Sequence, residues 1–266
     1  MAEQICLLPA EPPQISLRRR LADMRMAASE LFDILNTFTR EKRHPVSDVI
    51  AALPEPFTHW EHCPPGDVED ANTGCAWYYH AHDPGTARPW EEHGHFHCFM
   101  YTERLGPGAK PMALPDNFDD AKGGLVHLVA ISFDTSGAPT RLFAPNRWVT
   151  GEWLYPARDL IPLIDQFSII ADPRFGLTSR WLSAILRLYH PQIVALLCER
   201  DRILEQQLNA QLKVQLNASL ENITEDRSIE IISTTSIDLD ASLLAIDQAW
   251  DRALGSRFSE SYLPQS

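Results

Sequence analysis

Two runs decide how this chain is read: Cys75-Ala76-Trp77-Tyr78-Tyr79-His80-Ala81-His82 and, after a Pro/Gly-containing loop, Glu91-Glu92-His93-Gly94-His95-Phe96-His97-Cys98. Five of the ten histidines fall between His80 and His97, and within each run they are spaced by two. Side chains on a β-strand alternate between faces, so residues i, i+2 and i+4 project to the same side. On that spacing His80 and His82 share one face of one strand, and His93, His95 and His97 share one face of the next. Imidazole is the commonest protein ligand for zinc, copper, iron and nickel. The pattern points to a metal site on a hairpin.

Two registers satisfy it. With the loop flanked symmetrically, His82 faces Glu91 and His80 faces His93; a two-residue slip puts His82 against His93 and His80 against His95. Opposed Cβ atoms lie roughly 4.5–5.5 Å apart and metal–nitrogen bonds are about 2.0–2.1 Å. Either register therefore brings imidazoles from both strands to one ion. A one-residue slip sends the two sets to opposite faces.

Further candidates follow from the same phase. His127, in Gly124-Leu125-Val126-His127-Leu128-Val129, sits in a run that reads as a buried central strand. His80, His82, His93, His95, His97 and His127 are thus the expected metal ligands, around one or two ions. Glu91 is in phase with the histidines and is expected as a ligand or a general base. Tyr78 shares their face, where its phenol would orient water or substrate. Arg147, near His127 after the chain folds back, is expected either to bind an anionic substrate group or to pair with Glu152. Trp77, Tyr79, Glu92 and Phe96 fall on the other face. Asp83 is placed to fix the tautomer of His82. His59 and His62 lie in a loop before Pro64-Pro65, as ligands or as hydrogen-bond partners of ligands. Cys63, Cys75 and Cys98 are out of phase or in loops, so they are not expected to ligate.

Outside the hairpin the periodicity changes twice. Over 15–42, Leu17, Leu21, Met24, Ala27, Leu31, Leu35 and Phe38 recur at three- and four-residue steps, which predicts an amphipathic helix ending before Pro45. A short helix follows over 46–52 with Ser47 as N-cap. Segments 74–82, 92–102, 125–134 and 140–149 are rich in aromatic and β-branched residues between Pro, Gly and Asp clusters, as strands are. Asp134–Pro139 reads as a hairpin turn. Helices return over 159–167, 179–189 and 193–220, with a β-excursion at 227–239 and a last helix over 241–254. The leucine stripe from Leu197 to Leu220 steps by four and sustains no heptad. It predicts core packing, with a homodimer contact through the C-terminal helices as the alternative. The expected class is α+β: an antiparallel sheet or partial barrel over about 57–156, an N-terminal helical segment over 1–56, and a helical region over 157–266 packed on the core.

Composition bounds the rest. A hydrophobic content of 44% with 22% charged residues is that of a globular chain. The net charge of −13 argues against nucleic acid and anionic membrane as partners. No window approaches 18 uncharged apolar residues, and no apolar stretch follows a basic region at the N-terminus. Five cysteines without a framework spacing suit reduced thiols, so a cytoplasmic location is expected.

Three resemblances can be stated on these residues. His95-Phe96-His97 followed by His127-Leu128-Val129 resembles the zinc strands of α-carbonic anhydrases, which use a His-x-His pair and a third His from a neighbouring antiparallel strand. It covers about a tenth of the chain and implies three histidines holding a metal with one open position. Trp77-Tyr78-Tyr79-His80-Ala81-His82 resembles the Trp-Tyr-His-Ser-His motif of multicopper oxidases with one tyrosine inserted, and His59-Trp60-Glu61-His62 is similar to their His-Trp-His. Their later His-Cys-His stretch is missing here. From His59 to Glu152 the chain is similar to a family of uncharacterised bacterial His-rich proteins, which implies no mechanism. Zinc, iron and copper are the expected ions. The expected function is a metal-dependent enzyme activating water or dioxygen for a small, anionic substrate; the alternatives are a metal storage, transfer or sensing protein, and a His-rich core without metal.

Overall fold

The computed structural model describes residues 17–51, 61–82, 89–113, 124–170, 172–214 and 218–260. The expectations for His59 and Asp83 lie outside these residues, as do residues 57–60 of the expected sheet. Six strands form one antiparallel open sheet in sequence order: β1 (Cys63–Asp70), β2 (Cys75–Ala81), β3 (Gly94–Tyr101), β4 (Leu125–Phe133), β5 (Pro139–Pro145) and β6 (Ile231–Ser236). Helices precede the sheet, fill the span between β5 and β6, and follow it: α1 (Leu17–Glu41), α2 (Pro45–Ile50), α3 (Arg147–Thr150), α4 (Ala157–Ile164), α5 (Gly176–Leu188), α6 (His190–Val214), α7 (Leu220–Thr224) and α8 (Leu239–Glu260). The class is α+β, as the grouping of strand-like segments predicts.

Strand alternation divides the sheet chemically. Trp77, Tyr79, Phe96, Cys98, Met100, Ile131, Phe133 and Leu142 belong to the main core, which they share with α1, α4, α5 and α6. Trp77 sits edge-on to Phe96 and Phe175, and its indole N–H donates to Ser179 Oγ at 3.0 Å, so the largest side chain on this face is packed and satisfied. Ala76, Tyr78 and Phe99 form a small separate cluster with Leu125 on the opposite face, where the strand histidines also project.

Four local expectations are corrected. β1 was not expected, because Cys63-Pro64-Pro65-Gly66-Asp67-Val68 lacks strand-forming side chains; it is an edge strand with a register shift between Cys63 and Val68, where proline and irregularity are tolerated. His44, not Ser47, caps α2: its Nδ1 accepts from Ser47 N at 3.3 Å, while His44 N donates to Ser47 Oγ at 2.8 Å, and Pro45 occupies the first turn. The strand expected over 140–149 stops at Pro145, where Asn146 accepts from Arg147 N and starts α3. The excursion at 227–239 supplies β6, which pairs Thr234 with Phe143, so the sheet extends beyond 57–156. On α6 the leucine stripe leaves the core: Leu197 and Leu204 are buried, but Leu212 is 43% exposed. Among the described residues no single helix is long and apolar enough to cross a membrane.

Gly94 begins β3 where the Tyr79 phenol crosses to reach His93 Nδ1, 2.6 Å from its hydroxyl. A Cβ on Gly94 would lie 2.7 Å from Tyr79 Cζ and also run into the Tyr79 hydroxyl and the His80 carbonyl oxygen. The His80 carbonyl is backbone and cannot swing away. Gly94→Ala is therefore expected to cost about 1–3 kcal/mol by overpacking, read as a fall of several degrees in Tm by calorimetry; an unchanged Tm would show that this crossing tolerates a side chain.

Candidate metal centre

The β2–β3 pairing follows the two-residue-slipped register. His80 is opposite His95, Tyr78 opposite His97 and Ala81 opposite Gly94, and His82 N donates to His93 O at 2.9 Å. The rings of His80 and His95 have centres 4.2 Å apart, and His82 stands 5.0 Å from each of them. His80, His82 and His95 each present a nitrogen, and these three atoms lie within 4.8 Å of one another. They form a buried three-histidine cluster on antiparallel strands that could hold a metal ion. His97 and His127 continue it along the same face: His97 is 4.6 Å from His95 and 5.1 Å from His127 between ring centres.

Two expected members are elsewhere. His93 lies in a bend before β3 and hydrogen-bonds Tyr79, a residue of the opposite face. Glu91 is exposed. One cause explains both: regular alternation starts only at Gly94, so phase counted back from His95 fails at the bend. For the same reason Glu92, expected to point away, enters the cluster. Its side chain is fully buried, with Oε1 3.1 Å from His95 Nδ1 and Oε2 3.2 Å from His82 Nε2. Those two nitrogens are 3.2 Å apart, so one carboxylate spans both rings. No signal in the sequence separates Glu92 from Glu91 without the bend.

Tyr78 lies on the histidine face as expected. Its ring is 4.9 Å from His97 and 6.2 Å from His80, and His62 stacks on it at 3.6 Å with planes 9° apart. His62 is itself half-exposed and bonds Asp67 Oδ1 through Nδ1 at 2.8 Å, so it borders the site from outside. Arg147, expected beside His127, is instead buried on α3 and forms an ion pair with Glu225. The sequence offers Glu152 only as a structural partner for that arginine. It is a buried acid that accepts from Thr150, and the next residue's N–H donates to Leu125 O at 2.8 Å, on the strand that carries His127. Cys75 and Cys98 face the core, and the four described cysteines are free thiols.

Electrostatics follow burial. Desolvation, then the neighbouring His95 and His82, pushes the pKa of His80 down to about 2. Burial and then the Arg200 charge take His127 to about 3, and burial holds His97 well below its ordinary value. Burial alone would raise the pKa of Glu92, but the hydrogen bonds from His82 and His95 outweigh it and hold the carboxyl well below the usual range. Glu152 has no such donors in number: burial raises it to about 8 against the weaker pull of Arg200 and Arg147. His80, His97 and His127 are therefore held neutral, and Glu92 is held as a carboxylate.

These shifts set the pH dependence of the metal-free protein. Unfolded histidines titrate near 6.5, so between that value and about 3 the unfolded chain binds more protons and stability falls as pH falls. Glu152 acts oppositely: from about 4.5 to about 8 the folded form holds the extra proton, and stability falls as pH rises. Three histidines outweigh one glutamate below 6.5. Chelated protein should thus be most stable near pH 6.5 by denaturant titration, losing stability steeply on the acid side with uptake of roughly three protons. A flat profile between pH 4 and 6.5 would show that the histidines are not held neutral.

No curated protein and no solved structure matches the chain. The model of one family, described as Domain of unknown function (DUF6969), matches residues 25–237, which covers the sheet and all of the histidines placed above. The chain belongs to the DUF6969 family.

Proposed function

We propose that this protein is a metal-dependent enzyme whose ion is held by His80, His82 and His95. The observation that carries it is the convergence of three buried imidazoles with a carboxylate spanning two of them. An imidazole N–H bound to a carboxylate fixes the tautomer and leaves the other nitrogen as a lone pair. With Glu92 on His82 Nε2 and His95 Nδ1, the opposite nitrogens, His82 Nδ1 and His95 Nε2, are the coordinating atoms. Neutral imidazole is the form that binds metal, and burial keeps His80 neutral over the physiological range. An all-nitrogen set suits zinc, iron or copper.

Catalysis is favoured over storage by what stands next to the ion. A storage site needs ligands alone, whereas Tyr78 adds a phenol against His80 and His97. A bound ion would supply a Lewis acid to polarise water, or a redox centre for dioxygen, acting on a small substrate. A cytoplasmic location and a homodimer through the C-terminal helices belong to the same proposal.

Protein purified without an affinity His-tag is expected to carry a stoichiometric first-row metal, lost on His82→Ala or His95→Ala with far-UV circular dichroism retained. Glu92→Gln should keep the ion but weaken it about 10–100-fold. Metal-loaded protein should hydrolyse activated esters or consume dioxygen, and Tyr78→Phe should lower that turnover while leaving metal content unchanged. Full metal content in both histidine variants would refute the ligand assignment. A tightly loaded but inert protein would favour storage instead.

A further inference from the structure

We infer that His97 supplies a fourth imidazole to this centre through Nε2, and that His127 is not a ligand but the residue that positions it. The inference rests on the metal reading of His80, His82 and His95, and it assigns the two remaining histidines of the face to different roles.

His97 follows His95 by one strand repeat, faces the same side and has no exposed surface. Its ring centre lies 4.6 Å from that of His95 and 5.5 Å from that of His80, beside 4.2 and 5.0 Å within the three-histidine cluster. Imidazoles sharing one ion at about 2.0–2.1 Å per nitrogen have centres roughly 4.5–5.5 Å apart, so His97 stands at that spacing from two of the three ligands, just outside the group whose nitrogens lie within 4.8 Å of one another.

The two nitrogens of His97 are in different situations. Nδ1 is 3.0 Å from His127 Nε2, a distance at which one N–H lies between them. Nε2 is buried and has no hydrogen-bond partner among the described residues. If His127 were the donor, His97 would carry its proton on Nε2, as a buried N–H with nothing to accept it. If His97 donates from Nδ1, Nε2 is a buried lone pair, which is the form a metal ion satisfies. A buried polar atom left unmatched is unfavourable in either tautomer, and only the second can be relieved by coordination.

His127 does not share this position. Its Nε2 is taken up by His97, and its ring contacts among the described residues are with His97 and Phe99, not with His80, His82 or His95. It stands to His97 as Glu92 stands to His82 and His95: an acceptor on the outer nitrogen that turns the inner one toward the ion. The bulge between Cys98 and Phe99 makes this possible, because it pairs Phe99 with His127 and so sets His127 one step behind His97.

Copper(II)-loaded wild-type protein tests the count directly. Pulsed electron paramagnetic resonance, which counts coupled imidazoles, is expected to find four; three would overturn the inference while leaving the metal reading intact. Absence of copper(II) or cobalt(II) binding to wild-type protein would instead defeat the metal reading itself. With cobalt(II), His97→Ala should bind at least 100-fold more weakly and shift the d–d absorption bands. His127→Ala should weaken binding about 10–100-fold with the bands unmoved. His127→Gln, whose amide oxygen can accept from His97 Nδ1, should recover most of that loss. Wild-type affinity and bands in His97→Ala, or equal band shifts in His127→Ala and His97→Ala, would overturn the division of roles.

Discussion

The burial of Trp77, Tyr79, Phe96 and Cys98 against the helices constrains everything on the other side of the β2–β3 pair. Alternation leaves no freedom once those side chains are placed: their strand neighbours, including His80, His95 and His97, must project the opposite way. Slipping the register by one residue would bring imidazoles into the apolar core and expose a tryptophan, so it is forbidden by several side chains at once, each contributing about 1.5–3 kcal/mol on burial. The stability of the helical face is what holds a set of dehydrated imidazoles close together. Left to themselves, those rings would hydrate and separate.

The same constraint shows why part of the site could be read from residue spacing and part could not. Spacing by two suffices wherever the strand is regular, and it correctly groups His80, His82, His95, His97 and Tyr78. It fails one residue before Gly94, where the bend at His93 interchanges the sides expected for Glu91, Glu92 and His93. β1 was invisible for a related reason: an edge strand is defined by its partner's free hydrogen-bonding groups rather than by its own side chains. Arg147 was misplaced because Asn146, a capping residue, converts an apparent strand into α3. The antiparallel sheet, by contrast, was legible because strand-like segments cluster without alternating helices.

Charge on the histidine face is asymmetric. Burial removes the positive charge of His80, His97 and His127, while Glu92 keeps its negative one through the donors it meets. A buried carboxylate among imidazoles is a setting whose natural complement is a divalent cation. Tyr78, raised by burial, stays protonated on this face, so it can donate a hydrogen bond but does not compete as an anion for the ion.

The pairing of β5 with β6, widest at Arg141 and Ser236, reaches across more of the chain than any other in the sheet. On a ribosome, β2 to β5 emerge together and can pair as they appear, whereas β5 keeps an open side until α3 to α7 and then β6 have been made. During that interval the nascent sheet ends in a strand carrying Leu142 and Phe143, with backbone donors and acceptors bare along its edge. Such an edge can recruit a strand from another molecule. The late arrival of β6 thus acts as a seal, and the yield of correctly folded chains depends on how quickly the helical span delivers it.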